Sequence, residues 1–361
     1  MITARRILLL ITDLEIGGTP TVVRELAVRL NAGGGAVVEV ACLSAQGPVA
    51  RELEKAGVRV TAIGARGAWQ LPAVVTKLVR LAQGRRYDTV FSFLVHANAV
   101  AAAASRFLPG VRFLQSIQTT QPNPRWHWQV QALAQAAAER VVVPSPSVAA
   151  AAREWSDVPA EKLLVIPNAV GSAVPTAAGL APSRQRICFV GRLDPIKRVP
   201  DLVHAVALLE PRYTLDVWGE GRDRAAIESA VDQCGVRSRV TVHGSTTTPQ
   251  AALSAADVLV LPSDAEGFGL VLIEAMAAGV PVVATDVPGI RDVVRDGDNG
   301  LLVPPRDPSR LAQVIHGVMT DESLRRRLIE GGCRVVIERY TWDVVLPQYQ
   351  RLLGVSVSAR A

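Results

Sequence analysis

The most constraining feature of this chain is a recurring pattern: short aliphatic runs, four to seven residues long, separated by longer stretches with helical spacing. The runs expected as strands are Ile7–Thr12, Val37–Leu43, Thr89–Phe93, Arg112–Ile117 and Arg140–Val143, and then Ile187–Val190, Thr214–Trp218, Arg239–His243, Val258–Leu261 and Val280–Ala284. Several of them lack the alternation of apolar and polar residues that marks a half-exposed sheet. They therefore belong to strands buried on both faces, as in parallel βα units. Between the two series lies Gly171–Arg186, a small, proline-bearing and aperiodic stretch that reads as a linker. The 361 residues, at ~150 per domain, agree with two domains. The expected fold is α/β, with two doubly wound, Rossmann-like lobes, residues 1–170 and residues 171–342. Ligands of such sheets gather at the carboxyl ends of strands, which puts the expected site in a cleft between lobes.

Composition excludes several function classes. A 49% hydrophobic and 20% charged sequence is ordinary for a globular protein. Cys42, Cys188, Cys234 and Cys333 are widely spaced and have no histidine at metal-ligand spacing, so neither a disulfide framework nor a zinc module is expected. The apolar run near the amino terminus, Ile7 to Ile11, is too short for a signal sequence or a spanning helix. A cytoplasmic protein is the expectation. The net charge of +6 is uneven: residues 1–175 carry 18 basic against 11 acidic side chains, and the remainder 21 against 22. A basic first lobe beside a neutral second one suits an anionic partner, such as the inner face of a membrane or a diphosphate-linked lipid. Nucleic acid is disfavoured, because aromatic residues make up only 4% and no recognition motif is present.

Four segments carry candidate chemistry. In Pro262–Gly279, PSDAEGFGLVLIEAMAAG, a glycine-bracketed loop enters a helix near Leu270. Gly267 and Gly269 let backbone amides approach a ligand, and the helix start adds partial positive charge, as a phosphate or sugar-diphosphate seat requires. Glu266 and Glu274, eight positions apart, are placed to accept hydrogen bonds from hydroxyls. GRLDPIKR (191–198) follows a strand and offers Arg192 as a planar fork and Lys197 as a point charge. WGEG (218–221) is either a tight turn or a close backbone approach to a nucleotide. DLEIGGTP (13–20) brings the Gly17 and Gly18 amides to a strand end, although it is neither a dinucleotide fingerprint nor a P-loop. His96 is a pocket candidate or a polar helix start. PRWHWQ (124–129) is a lid or an interfacial aromatic cluster, while His204, His243 and His316 read as structural. DGDNG (296–300) fits a turn rather than a calcium loop, and no metal site is assigned.

In this order, the Gly17–Gly18 turn, VVVPSPSV (141–148), VIPNAV (165–170), GRLDPIKR, WGEG, the E-x7-E element and AAGVPVVATDVPGIRDVVRDGDNGLLVPP (277–305) resemble the retaining glycosyltransferases of the GT-B fold, glycosyltransferase family 4. The resemblance covers most of the chain and is strongest from about residue 140 to 345. It implies transfer of a sugar from a nucleotide-diphosphate-sugar, UDP- or GDP-linked, to a glycan or lipid-linked acceptor in cell-surface polysaccharide or glycolipid synthesis. It also implies that a terminal helix, residues 343–361, crosses back to the first lobe, and no further cofactor and no metal are implied. Carried over by position, Arg192 and Lys197 neutralise the departing diphosphate, and Glu274 holds the ribose. Glu266, with the amides of Gly267, Phe268, Gly269 and Leu270, holds the donor sugar and leaving phosphate. Gly191, Gly219, Glu220 and Gly221 lie near the nucleotide, and Gly17 and Gly18 near the phosphates. His96, Gln118 and Arg125 are candidates on the acceptor side. Three departures stand out: Gln118 where many relatives carry His, a single Gly289 followed by Asp292 in VPGIRD, and Asp194-Pro195 within the basic loop. A nucleotide-sugar epimerase of the same fold and a non-catalytic sugar-nucleotide-binding protein are the alternatives.

Overall fold

The computed structural model describes residues 4–65, 67, 70–171 and 185–355, so most of the expected linker, residues 172–184, lies outside the described residues. The chain divides into two compact units, Met1–Asn168 with Asp343–Ala361, and Ala169–Trp342.

In the first unit β1 (Arg5–Ile11) leads through α1 (Gly18–Ala32) to β2 (Ala36–Cys42), and through α2 (Pro48–Lys55) to β3 (Val60–Ala62). The chain then crosses by α3 (Leu71–Arg85) to β4 (Thr89–Phe93), and continues by α4 (Val95–Ser105), β5 (Arg112–Ser116), α5 (Arg125–Ala134), β6 (Arg140–Val143), α6 (Pro146–Ser156) and β7 (Leu163–Val165). All seven strands are parallel, in the order β3-β2-β1-β4-β5-β6-β7. Ile7 through Ile11 are fully buried, as a central strand covered on both faces requires. The edge strands β3 and β7 are short and part-exposed, and the aliphatic-run criterion misses both.

The second unit repeats the plan with β8 (Arg186–Val190), α7 (Val199–Leu208), β9 (Thr214–Trp218), α8 (Arg224–Gln233), β10 (Val240–Val242), α9 (Pro249–Ser254) and β11 (Val258–Leu261). Then follow α10 (Leu270–Ala277), β12 (Val282–Thr285), β13 (Leu301–Val303), α11 (Pro308–Thr320) and α12 (Glu322–Val335). Its six parallel strands run β10-β9-β8-β11-β12-β13. Two expected strands start later than the sequence suggests: Pro281 delays β12 to Val282, and β10 is trimmed to three residues. Asp307 and Asp321 accept from the amides of Arg310 and Leu324, capping α11 and α12.

After a π-helical turn at Val336–Tyr340 comes α13 (Trp342–Leu353), which from Asp343 onward belongs to the first unit. Val345, Tyr349 and Leu353 are buried there; Tyr349 meets Phe91 of β4 at 6.3 Å between rings, and Arg112 donates to the Leu352 carbonyl at 3.2 Å. No helix among the described residues is long and apolar enough to cross a membrane.

Strand order reverses between β1 and β4 in the first sheet and between β8 and β11 in the second. At such a point the loops leaving adjacent strands diverge to opposite faces and open a crevice at the carboxyl ends. The segments that fall there are 12–17 and 94–96 in the first unit, and 191–198 and 262–269 in the second. Of the segments the sequence had marked, 13–20, 191–198 and 262–279 overlap these loops and His96 lies in one of them, whereas WGEG (218–221) leaves β9.

Candidate functional site

In the second unit the loops leaving β8, β9 and β10 are knitted by backbone hydrogen bonds. Gly191 N–H donates to the Trp218 carbonyl at 3.0 Å, Leu193 N–H to that of Glu220 at 2.9 Å, and Gly219 N–H to that of Gly244 at 3.1 Å. A Cβ at Gly219 (φ 149°) would lie 1.9 Å from the Gly191 oxygen, and one at Gly221 (φ 159°) 2.2 Å from the Leu193 oxygen. These two glycines are therefore accounted for by loop-on-loop packing, which favours the turn reading of WGEG. Glu220 pairs with Arg224 at 3.0 Å on the surface.

The loops on either side of the β8/β11 switch point meet through side chains. Lys197, at the end of a single 3-10 turn over Pro195–Lys197, forms an ion pair with Glu266 Oε1. The same oxygen accepts from Ser263 Oγ at 2.8 Å, and Asp264 N–H donates to the Ile196 carbonyl at 2.8 Å. The side chains of Lys197 and Glu266 are 19% and 11% exposed, so the pair is sheltered yet reachable. Behind it, a Cβ at Gly289 (φ 82°) would sit 2.1 Å from the Glu266 carbonyl oxygen, so the loop after β12 buttresses the Glu266 backbone. Chemically the arrangement offers a compact cation next to an acceptor-only carboxylate: one half suits phosphate oxygens and the other sugar hydroxyls.

Arg192 stands 73% exposed, 3.1 Å from Asp194, which also faces Arg222 at 3.3 Å. Gly269 (φ 75°) caps α10 in the left-handed region, where only glycine sits without strain. The amides of Gly267, Phe268, Gly269 and Leu270 thus lie at the mouth of that helix. The Phe268 ring is buried edge-on against Tyr340 at 5.5 Å, which leaves the backbone as its means of reaching a ligand. Glu274 is the fifth residue of α10 and is half-buried.

Sequence reasoning missed one feature. Trp218 and His243 stack with ring centroids 3.9 Å apart and planes 7° from parallel, while His243 Nε2 is 2.7 Å from Asp216 Oδ1. Alternation in TLDVW puts Thr214, Asp216 and Trp218 on the less buried face of β9, but it does not bring His243, which follows β10, to that face.

In the first unit Gly17 caps α1 with extended backbone, and a Cβ there would meet only Pro20 Cδ at an ordinary 3.7 Å. Packing thus does not demand glycine at 17, in contrast to Gly219 and Gly221. Gly18 opens α1. Gln118 donates to Ser116 Oγ at 2.7 Å and accepts from Asn168 Nδ2 at 3.4 Å, so its amide is oriented by the protein. His96, in the first turn of α4, meets Trp126 and His127 of α5 at 5.7 and 5.5 Å. Arg125 opens α5 and is exposed. Burial and the neighbouring His96 hold the His127 pKa below the ordinary histidine value. The structure thus joins Lys197 to Glu266, Gly191 to the 218–221 loop, and His96 to α5, while the hydrogen bonds of Gln118 go to Ser116 and Asn168.

Residues 17–169 match the profile of the glycosyl transferase 4-like domain, and residues 176–334 that of the glycosyl transferases group 1. Together the two matches take in most of the chain. The chain belongs to the group 1 glycosyl transferases. Among curated members of this group it is similar to D-inositol 3-phosphate glycosyltransferase of Xylanimonas cellulosilytica, 41% identical over 46% of this chain and 41% of that one. It is also similar to phosphatidyl-myo-inositol mannosyltransferase of Mycobacterium leprae, 34% identical over 56% of each chain. The matched stretches span about half the length of these relatives, or less. Among solved structures, Anabaena Alr3699/HepE in complex with UDP and glucose aligns over 97% of this chain and 99% of its own, with a TM-score of 0.86 at 23% identity. Sucrose-phosphate synthase from Thermosynechococcus elongatus aligns at 0.82 and 24%, over 97% and 98%. This group 1 glycosyl transferase therefore has the GT-B fold, with its two doubly wound α/β units.

Proposed function

We propose that the protein is a retaining, metal-independent glycosyltransferase that moves a sugar from a UDP- or GDP-linked donor, held by the second unit, to a glycan or lipid-linked acceptor held by the first. The observation that carries this reading is the Lys197–Glu266 pair astride the β8/β11 switch point, ahead of the α10 amides. An entering diphosphate competes with Glu266 for Lys197, and the released carboxylate turns to the hydroxyls of the donor sugar. Lys197 and Arg192 then face the charge that develops as the bond from the anomeric carbon to the diphosphate breaks. The amides of residues 267–270 add partial positive charge at the helix mouth. These groups supply the electrostatic stabilisation that a divalent ion would otherwise provide. The acceptor oxygen bonds to the anomeric carbon on the face the diphosphate leaves, and the acceptor proton departs with the diphosphate. Glu274 holds the ribose. The names of the curated relatives, which are sugar transferases, and the UDP and glucose bound by HepE support the donor class. The basic first half supports work at the inner membrane face on a cell-surface glycan or glycolipid.

Thermal stabilisation against UDP, GDP, ADP and their sugars, with Mg²⁺ or with EDTA, tests the donor assignment. Stabilisation by one nucleotide family, unchanged by EDTA, is expected, and silence across the panel would refute it. Anomeric proton coupling in the product then tests retention. An epimerase would convert donor without acceptor and release no nucleotide diphosphate. Equal sedimentation with neutral and anionic liposomes would remove the membrane assignment.

A further inference from the structure

Three observations in the first unit converge on the start of α4 and α5. Leu94, between β4 and α4, has φ 73° and ψ 153°, a region of backbone space that is essentially reserved for glycine. Such strain persists only where the surroundings impose it, and it accumulates at functional turns. It sits at the β1/β4 switch point and sets the direction in which α4 leaves the sheet, with His96 in the first turn.

Behind this turn the helices are locked by buried amides. Asn98 Nδ2 donates to the Ser116 carbonyl at 3.0 Å and to Gln131 Oε1 at 2.8 Å, Gln131 donates to Gln115 Oε1 at 2.8 Å, and Gln115 donates to the Ala134 carbonyl at 2.7 Å. Asn98, Gln115 and Gln131 are at most 3% exposed. A satisfied buried network of this kind fixes α4, α5 and β5 in one arrangement.

In front of the lock lies an aromatic cluster. Trp126 is 48% exposed, has His127 edge-on at 4.0 Å, and meets His96 at 5.7 Å. None of these three side chains makes a hydrogen bond or ion pair with any described residue, so their ring nitrogens are uncommitted. The indole is half exposed, in the first turn of α5, the helix that follows β5.

We propose that Trp126, His96 and His127 form a carbohydrate subsite, in which a pyranose ring of the acceptor stacks on the indole and its hydroxyls bond to the imidazoles. The proposal rests on the sugar-transfer reading and narrows it, by making the acceptor a glycan rather than a bare lipid or a small anion. The negative face of an aromatic ring attracts the partly positive C–H bonds on one side of a pyranose and repels an anion. The lowered pKa of His127 keeps its ring uncharged at neutral pH, able both to donate and to accept.

The test uses the full chain saturated with UDP or GDP, and methyl glycosides of glucose, galactose, mannose and N-acetylglucosamine as probes, read by saturation-transfer NMR. Saturation of ring C–H protons by the wild type is expected. Binding should be five- to tenfold weaker, by order of magnitude, in Trp126→Ala and largely kept in Trp126→Phe. Equal signals from wild type and Trp126→Ala, or no glycoside signal at all, overturn the proposal. So does myo-inositol 1-phosphate binding that depends on Trp126 while the glycosides stay silent. Nucleotide-induced thermal shift on the same samples reports separately on the second unit, so failure of the donor reading cannot be mistaken for failure of the subsite.

Discussion

Gly289→Ala is the sharpest probe of how Glu266 is held. Residue 289 has φ 82°, and the new Cβ would lie 2.1 Å from the Glu266 oxygen and 3.0 Å from the Gly267 carbonyl carbon. Contacts under 3.0 Å are essentially never seen for real Cβ atoms, so the Glu266 carbonyl must retreat by roughly 0.9 Å. Two costs follow. Holding alanine in the left-handed region costs ~1–2 kcal/mol, and the overpacking ~1–3 kcal/mol more. Gly297→Ala separates them. Its φ is 76°, and nothing lies within 4 Å of the added Cβ, so it bears only the first cost. Denaturant unfolding should therefore place Gly289→Ala ~1–3 kcal/mol below Gly297→Ala. In the proposed transfer, a displacement near 1 Å at a group that orients substrate lowers turnover by about 100-fold. Gly297→Ala should turn over like the wild type. Measured as nucleotide diphosphate release with acceptor present, equal turnover of the two variants would falsify the claim that the β12 loop positions Glu266.

Other expectations follow from the same geometry. Arg192→Ala removes an exposed pair worth at most ~1 kcal/mol, so unfolding should barely change while donor turnover falls. Lys197→Ala should reduce turnover by about 100-fold or more, as loss of one charge-stabilising donor does, and equal activity would refute its role. His127 is held uncharged in the fold, so as pH falls through about 6.5 the unfolded chain takes up its proton first and native stability drops. His127→Gln should lose less stability than the wild type between pH 7.5 and 5.5. Burial pushes the Cys188 thiol up to about 12 and that of Cys42 to about 11, whereas Cys234 is part-exposed. Native alkylation at pH 8 should mark Cys234 first and reach the other two only on unfolding.

How much of this was legible in advance depended on whether the signal was local. VLVL at 258–261, TVFSF at 89–93 and RVVV at 140–143 give their strands to the residue, because parallel strands covered on both faces read as near-continuous apolar runs. β3 and β7 escaped because a three-residue edge strand needs no such run. The two loops at the second sheet's switch point were marked by their glycines and cations, but not the pairing of Lys197 with Glu266, which are 69 positions apart. The sequence also could not distinguish a glycine required by a neighbouring carbonyl, such as Gly219, from one that packing leaves optional, such as Gly17. The stack of Trp218 on His243 was hidden for a related reason, since it depends on which strands become neighbours.

The return of the chain at Asp343 has a consequence for protein engineering. Because the last helix completes the first unit, residues 169–342 are threaded into that unit as an insert with two covalent junctions. A stop codon after residue 168 would not deliver a finished amino-terminal fragment, since Val345, Tyr349 and Leu353 would be missing from its interior. The insert itself is one continuous cassette. Exchanging it between relatives therefore calls for paired splice sites, one near 168 and one near 342, whereas a single crossover would graft a foreign terminal helix onto the native first-unit core.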